Sequence, residues 1–97
     1  MTNQELAGRT AIVTGAGRER GIGRAIATTL VARGANVLMT DMPGVETVEG
    51  IKSQFSSQAS RVSFFEADVT QRAEAEAAVA FAITEFDGID ILVNNAG

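Results

Sequence analysis

Four short apolar runs alternate along the chain with three longer segments whose apolar residues recur at helical spacing. The first run, Thr10-Ala11-Ile12-Val13, leads into a glycine cluster, Gly15 to Gly23. Ile22, Ile26 and Leu30 then recur every four residues, which predicts a helix reaching Arg33, with Gly34 as its stop. The second run, Val37-Leu38-Met39-Thr40, ends at Asp41, and Pro43-Gly44 breaks the chain before a weaker helical stretch carrying Val48, Ile51 and Phe55. The third run, Val62-Ser63-Phe64-Phe65, is followed by an Ala/Glu-rich helix expected from a Thr70 N-cap to about Phe86. Asp87-Gly88 turns the chain into a last strand, Ile89 to Val93. The Ile22/Ile26/Leu30 and Val79/Ile83/Phe86 stripes are both read as core-facing, with Ala75 and Ala82 on the same face as the second.

A β-α-β-α-β-α-β order folds, under the right-handed crossover rule, into a parallel sheet with helices on both faces. The expected class is α/β, half of a doubly wound nucleotide-binding fold with strand order 3-2-1-4. Such sheets bind ligands beyond the carboxyl ends of their strands, next to the first strand.

The chain has 97 residues, enough for one small domain and no more. It contains no histidine, cysteine or tyrosine, so imidazole–zinc sites, thiol chemistry, disulfides and Ser/His/Asp triads cannot be assembled from it. Its eight basic residues include a single lysine, Lys52, and its net charge is −4. That balance, with no basic stripe among aromatics, argues against nucleic acid as a partner. The longest apolar run, Ala77 to Ile83, is far short of the roughly 20 residues a membrane helix needs. A cytoplasmic setting is expected.

The glycine cluster lies between a strand and a helix, where backbone N–H groups can approach phosphate oxygens at the positive helix end. A tight turn that needs positive φ would use the same residues. Asp41 follows Gly23 by 18 residues, close to the roughly 20 expected for an acid that binds a ribose 2′-hydroxyl. It could equally cap the turn ahead of Pro43-Gly44.

Thr14-Gly15 with Gly21-Ile22-Gly23-Arg24-Ala25 resembles the TGxxxGxG loop of the short-chain dehydrogenase/reductases. Asn94-Asn95-Ala96-Gly97 resembles that family's NNAG motif, and Asp68-Val69-Thr70 its Asp-Val/Leu pair after the third strand. Five residues separate Gly15 from Gly21, two more than the family spacing. Gly17, Gly21 and Gly23 keep the spacing instead, and the longer loop is expected to bulge and present Arg18 or Arg20 outward.

The resemblance implies that residues 1–97 are the amino-terminal part of one Rossmann-like NAD(P)-binding domain, truncated after NNAG. The implied cofactor-binding residues are Gly15, Gly17, Arg20, Gly21, Ile22, Gly23, Asp41, Asp68, Val69, Asn94, Ala96 and Gly97. Asp68 would accept from the adenine amino group, or serve as an ordinary turn residue. Asp41 favours NAD, whereas Arg20 resembles the basic residue of NADP-preferring members and keeps NADP as the less favoured alternative. The implied activity is hydride transfer between a small alcohol or ketone and nicotinamide, in a homo-oligomer. The family's catalytic Ser, Tyr and Lys lie beyond NNAG and map onto no residue here. The alternative is a noncatalytic nucleotide-binding or self-associating fragment. With the fourth strand as an unpaired edge, an isolated fragment is expected to associate, exchange strands or be partly disordered.

Overall fold

A computed structural model describes residues 4–95. Four strands, β1 (Thr10–Thr14), β2 (Asn36–Asp41), β3 (Val62–Glu66) and β4 (Ile91–Val93), form one parallel sheet in the order β3-β2-β1-β4. The helices α1 (Ile22–Ala32), α2 (Val48–Phe55) and α3 (Arg72–Phe86) connect them in turn, giving the expected topology.

The central residues of β1, β2 and β3 are mostly apolar and buried because helices cover both faces of the sheet there. Successive side chains point to opposite faces. Ala11 and Val13 of β1, Val37 and Met39 of β2, and Val62 and Phe64 of β3 join Ala27 and Val31 of α1 and Ile51 and Phe55 of α2 in one cluster. Ile12 and Leu38 pack instead with Ala82, and with Phe81 and Phe86 around it.

The helix faces differ from those expected. Ile22 is 74% exposed, and the buried residues of α1 are Gly23, Arg24, Ala27 and Val31. Leu30 is only partly buried against the core. Val79 and Ile83 are 42% and 50% exposed, while Ala78 and Ala82 are buried. The reason is the same in both helices: a glycine or alanine lets the helix backbone lie close to the sheet. The larger aliphatic residues one position away are turned off that line.

Two boundaries also move. Gln71, not Thr70, is the N-cap of α3, and Thr70 instead donates its N–H to Asp68 Oδ1 at 3.0 Å. The last strand begins at Ile91 rather than Ile89, because Asp90 already turns its own N–H to the Thr10 carbonyl (2.8 Å) and accepts the Thr10 N–H on Oδ2 (2.9 Å). A run of 3-10 turns, Ser56–Arg61, fills the connection after α2. The expected stops hold: Gly34 follows α1 at φ +101°, and Asp87 caps α3 in the left-handed region. Thr47 caps α2, its Oγ1 accepting from Gly50 N–H at 3.0 Å.

Candidate functional site

The carboxyl ends of the strands lie at one end of the sheet, since Thr14 pairs with Thr40, Asp41 with Glu66 and Val13 with Val93. A cavity of about 370 Å³ opens there, within the usual range for ligand pockets. Gly15, Arg18, Asp41, Asp68, Val69 and Asn95 contribute to its lining.

The glycine loop is built against β2. Ala16 N–H donates to the Thr40 carbonyl at 3.0 Å, and Gly17 N–H to Asp41 Oδ2 at 2.9 Å. The other carboxylate oxygen of Asp41 accepts from Met42 N–H at 2.8 Å. A Cβ on Gly17 would lie 2.7 Å from both Asp41 Cβ and Val45 Cγ1, so no side chain fits between loop and acid. Gly15 adopts φ +67°, which favours glycine. Gly23 is needed for proximity: its Cβ would meet the Gly15 carbonyl oxygen at 2.6 Å and Asn95 Nδ2 at 2.7 Å.

Gly21 is the N-cap of α1 and offers no side-chain cap. Gly21 N–H donates back to the Arg18 carbonyl at 3.0 Å, and the N–H groups of Ile22 and Gly23 that follow, having no helix carbonyl one turn back, are the ones suited to an anion. Behind the loop, Arg24 is 1% exposed. Its Nε donates to Ala16 O and its Nη2 to Gly17 O and to Glu46 Oε2, each at 2.9 Å, and its Nη1 reaches Gln54 Oε1. The Glu46 carboxyl is held below its ordinary pKa, first by the Thr47 N–H donating to Oε1 at 2.8 Å and then by the Arg24 hydrogen bond. Partial burial opposes that shift.

The opposite wall is set by Ala67 N–H donating to the Asp41 carbonyl at 2.9 Å, which places Asp68 and Val69 across from the loop. Asp68 accepts from Thr70 and donates its own N–H to Glu74 Oε1 at 2.8 Å, so it closes a turn as well as lining the cavity. The two asparagines separate. Asn95 N–H donates to Thr14 Oγ1 at 2.9 Å, and its Nδ2 to the Gly15 carbonyl at 3.2 Å. Asn94 instead lines a smaller, largely apolar cavity of about 220 Å³ under α3, and its Oδ1 accepts from Thr14 Oγ1 at 3.4 Å.

Gly15, Asp41, Asp68 and Val69 therefore meet at one cavity, with Gly17 pressed against Asp41 and Gly23 against Gly15. Arg20 is exposed in the turn before α1, and Ile22 is exposed at the helix start. Ala96 and Gly97 lie outside the described residues. Sequence reasoning has Arg18 only as a residue the longer loop presents outward and Asn95 only as part of the NNAG run, and counts neither among the cofactor-binding residues; Arg18 lines the cavity and Asn95 ties it to the glycine loop. Strand alternation carries the signal for Asn95: adjacent residues after β4 face opposite sides of the sheet. Lys52 is at the other end of β3, its Nζ donating to the Ala59 and Val62 carbonyls at 2.7 and 2.8 Å.

The family model for short chain dehydrogenase matches residues 9–97. This chain belongs to that family. Among curated relatives, it is 40% identical over 92 residues to D-beta-hydroxybutyrate dehydrogenase from Cupriavidus necator, covering 95% of this chain and 34% of that one. It is 40% identical over 89 residues to 2-(R)-hydroxypropyl-CoM dehydrogenase from Xanthobacter autotrophicus, covering 92% of this chain and 35% of that relative. The chain thus spans about a third of the length of the curated relatives it matches. Among solved structures, 3-ketoacyl-(acyl-carrier-protein) reductase from Brucella melitensis complexed with NADH superposes at a TM-score of 0.77, with 33% identity and coverage of 96% of this chain and 36% of that one. The short-chain dehydrogenase fold is accordingly present here as its Rossmann-like half. No helix among the described residues is long and apolar enough to cross a membrane.

Proposed function

We propose that this chain holds the adenosine and pyrophosphate of a nicotinamide dinucleotide, NAD(H) in preference to NADP(H). The observation that carries this reading is Asp41, a carboxylate on the cavity wall whose two oxygens are fixed by Gly17 and Met42. A fixed acid there accepts from a ribose diol and repels a 2′-phosphate. The donor chemistry fits the rest of the group: Ile22 and Gly23 at the start of α1, led into by Gly21, suit the pyrophosphate, and Asp68 and Val69 on the cavity wall suit the adenosine side, to which the family resemblance adds Asn94, Ala96 and Gly97. Arg18 lines the same cavity and Arg20 is exposed beside it, the feature that keeps NADP(H) as the alternative.

The activity proposed for the protein is that of an oxidoreductase acting between a small alcohol or ketone and the nicotinamide, which when bound gives or takes a hydride. The names of the relatives above support it. This chain's part is to bind and orient the dinucleotide. It has no tyrosine, and Lys52 is spent on two carbonyls far from the cavity. The alternative reading is a nucleotide-binding piece without turnover. Assembly as a cytoplasmic homo-oligomer belongs to the main proposal, and the exposed Val79, Ile83 and Leu92 are consistent with a face that is covered on assembly.

Titrating the protein with NADH and NADPH, followed by nicotinamide fluorescence, tests the binding claim. NADH saturating at lower concentration than NADPH is expected, and no saturation by either overturns it. Oxidation of NADH on adding ketones separates the oxidoreductase from the noncatalytic reading.

A further inference from the structure

We infer that Arg24, which has no place in the cavity lining, is a positioning residue that fixes the ribose-reading acid Asp41 through the intervening peptide. The inference rests on the dinucleotide reading above and adds to it a determinant of cofactor preference outside the pocket.

The geometry is a relay through the peptide unit joining Ala16 to Gly17. Its carbonyl oxygen accepts from Arg24 Nε at 2.9 Å, and its N–H donates to Asp41 Oδ2 at 2.9 Å. In a trans peptide these two groups point in opposite directions, so the unit is held from both sides and cannot rotate without breaking one bond. The next carbonyl, that of Gly17, is held by Arg24 Nη2 as well. Arg24 also bonds Glu46, on the segment that leads from Asp41 into α2, and Gln54 within α2. One guanidinium thus joins the glycine loop to the segment that follows Asp41.

Two features separate this from mere satisfaction of buried carbonyls. Three of the four bonds reach the glycine loop and the segment after Asp41, which both contribute to the cavity, and the clearance between Gly17 and Asp41 leaves no room for a side chain. Rotation of the 16–17 peptide would therefore take a donor from Asp41 and shift the acid relative to the ribose. A planar fork with five donors can serve four acceptors at once, and an ammonium cannot do so in this arrangement.

The test compares Arg24→Lys, Arg24→Met and Glu46→Ala with the unsubstituted protein by NADH and NADPH titration, with circular dichroism as the check on folding. Glu46→Ala removes a partly exposed anchor and keeps the proposal testable if an Arg24 variant fails to fold. NADH binding is expected to weaken about tenfold in Arg24→Met and less in Glu46→Ala. The NADH-over-NADPH preference is expected to shrink in both, and Arg24→Lys is expected not to restore it. Equal weakening toward both dinucleotides, or unchanged binding in folded variants, overturns the positioning role while leaving the dinucleotide reading intact. Absence of dinucleotide binding in the unsubstituted protein overturns both.

Discussion

Gly17 and Asp41 stand 24 positions apart and share a hydrogen bond of 2.9 Å, from the glycine N–H to Oδ2 of the acid. That bond leaves Asp41 as a rigid acceptor beside the cavity, not a mobile surface carboxylate. Hydrogen bonds to charged groups contribute about 1.5–3 kcal/mol each. Asp41→Ala is therefore expected to weaken NADH binding by roughly tenfold or more, and NADPH binding by less. Parallel titrations check this, and an unchanged ratio of the two affinities would reduce Asp41 to a turn residue.

Gly23 has an ordinary helical place but no room, with a backbone carbonyl 2.6 Å from where a Cβ would sit. Gly23→Ala must push Gly15 or Asn95 aside. A cost of about 1–3 kcal/mol in stability is expected, as for overpacking in a core. NADH affinity should fall further than that of a surface variant with the same stability. Urea denaturation and NADH titration of the same preparation give both numbers.

Asn95 and Asn94 are adjacent but bonded differently. Asn95 donates its Nδ2 to the Gly15 carbonyl and its backbone N–H to the Thr14 hydroxyl, whereas the Asn94 contact with Thr14 is long at 3.4 Å. Asn95→Ala should consequently weaken dinucleotide binding more than Asn94→Ala does. The reverse order would place the functional asparagine under α3.

Glu46 gives a pH dependence of known sign. Its carboxyl is held below the ordinary value of 4.5 by Thr47 N–H and by Arg24. A carboxyl with a lowered pKa in the folded state contributes stability above its unfolded value, and that contribution is lost as pH falls through the folded one. Stability of the unsubstituted protein should thus drop more steeply below about pH 4.5 than that of Glu46→Gln. Urea midpoints measured across that range decide it; parallel curves would mean that the contacts of the Glu46 carboxylate with Thr47 N–H and Arg24 add nothing.

The order of elements, the strand order and most helix ends were legible in the chain, because they depend on local signals: apolar runs, Gly34 and Asp87-Gly88 as stops, and the handedness of crossovers. The same local signals located Gly15, Gly17, Asp41 and Asp68 as residues at strand ends. Which helix face is buried was not legible. Hydrophobicity picks out Ile22, Val79 and Ile83 along with Ala82, while the closeness of helix to sheet keeps only Ala82 of these and adds Gly23 and Ala78.

The sequence by itself determined the α/β architecture and the composition of the glycine loop, since both follow from residue types and their spacing along the chain. Only the tertiary structure decided that Asn95 rather than Asn94 reaches Gly15, that Arg18 lines the cavity, and that Arg24 lies behind the loop and clamps the 16–17 peptide. Those relationships join residues up to 80 positions apart. They exist because parallel pairing brings the ends of β1, β2 and β4 together, and no local pattern encodes which side chain then faces which loop.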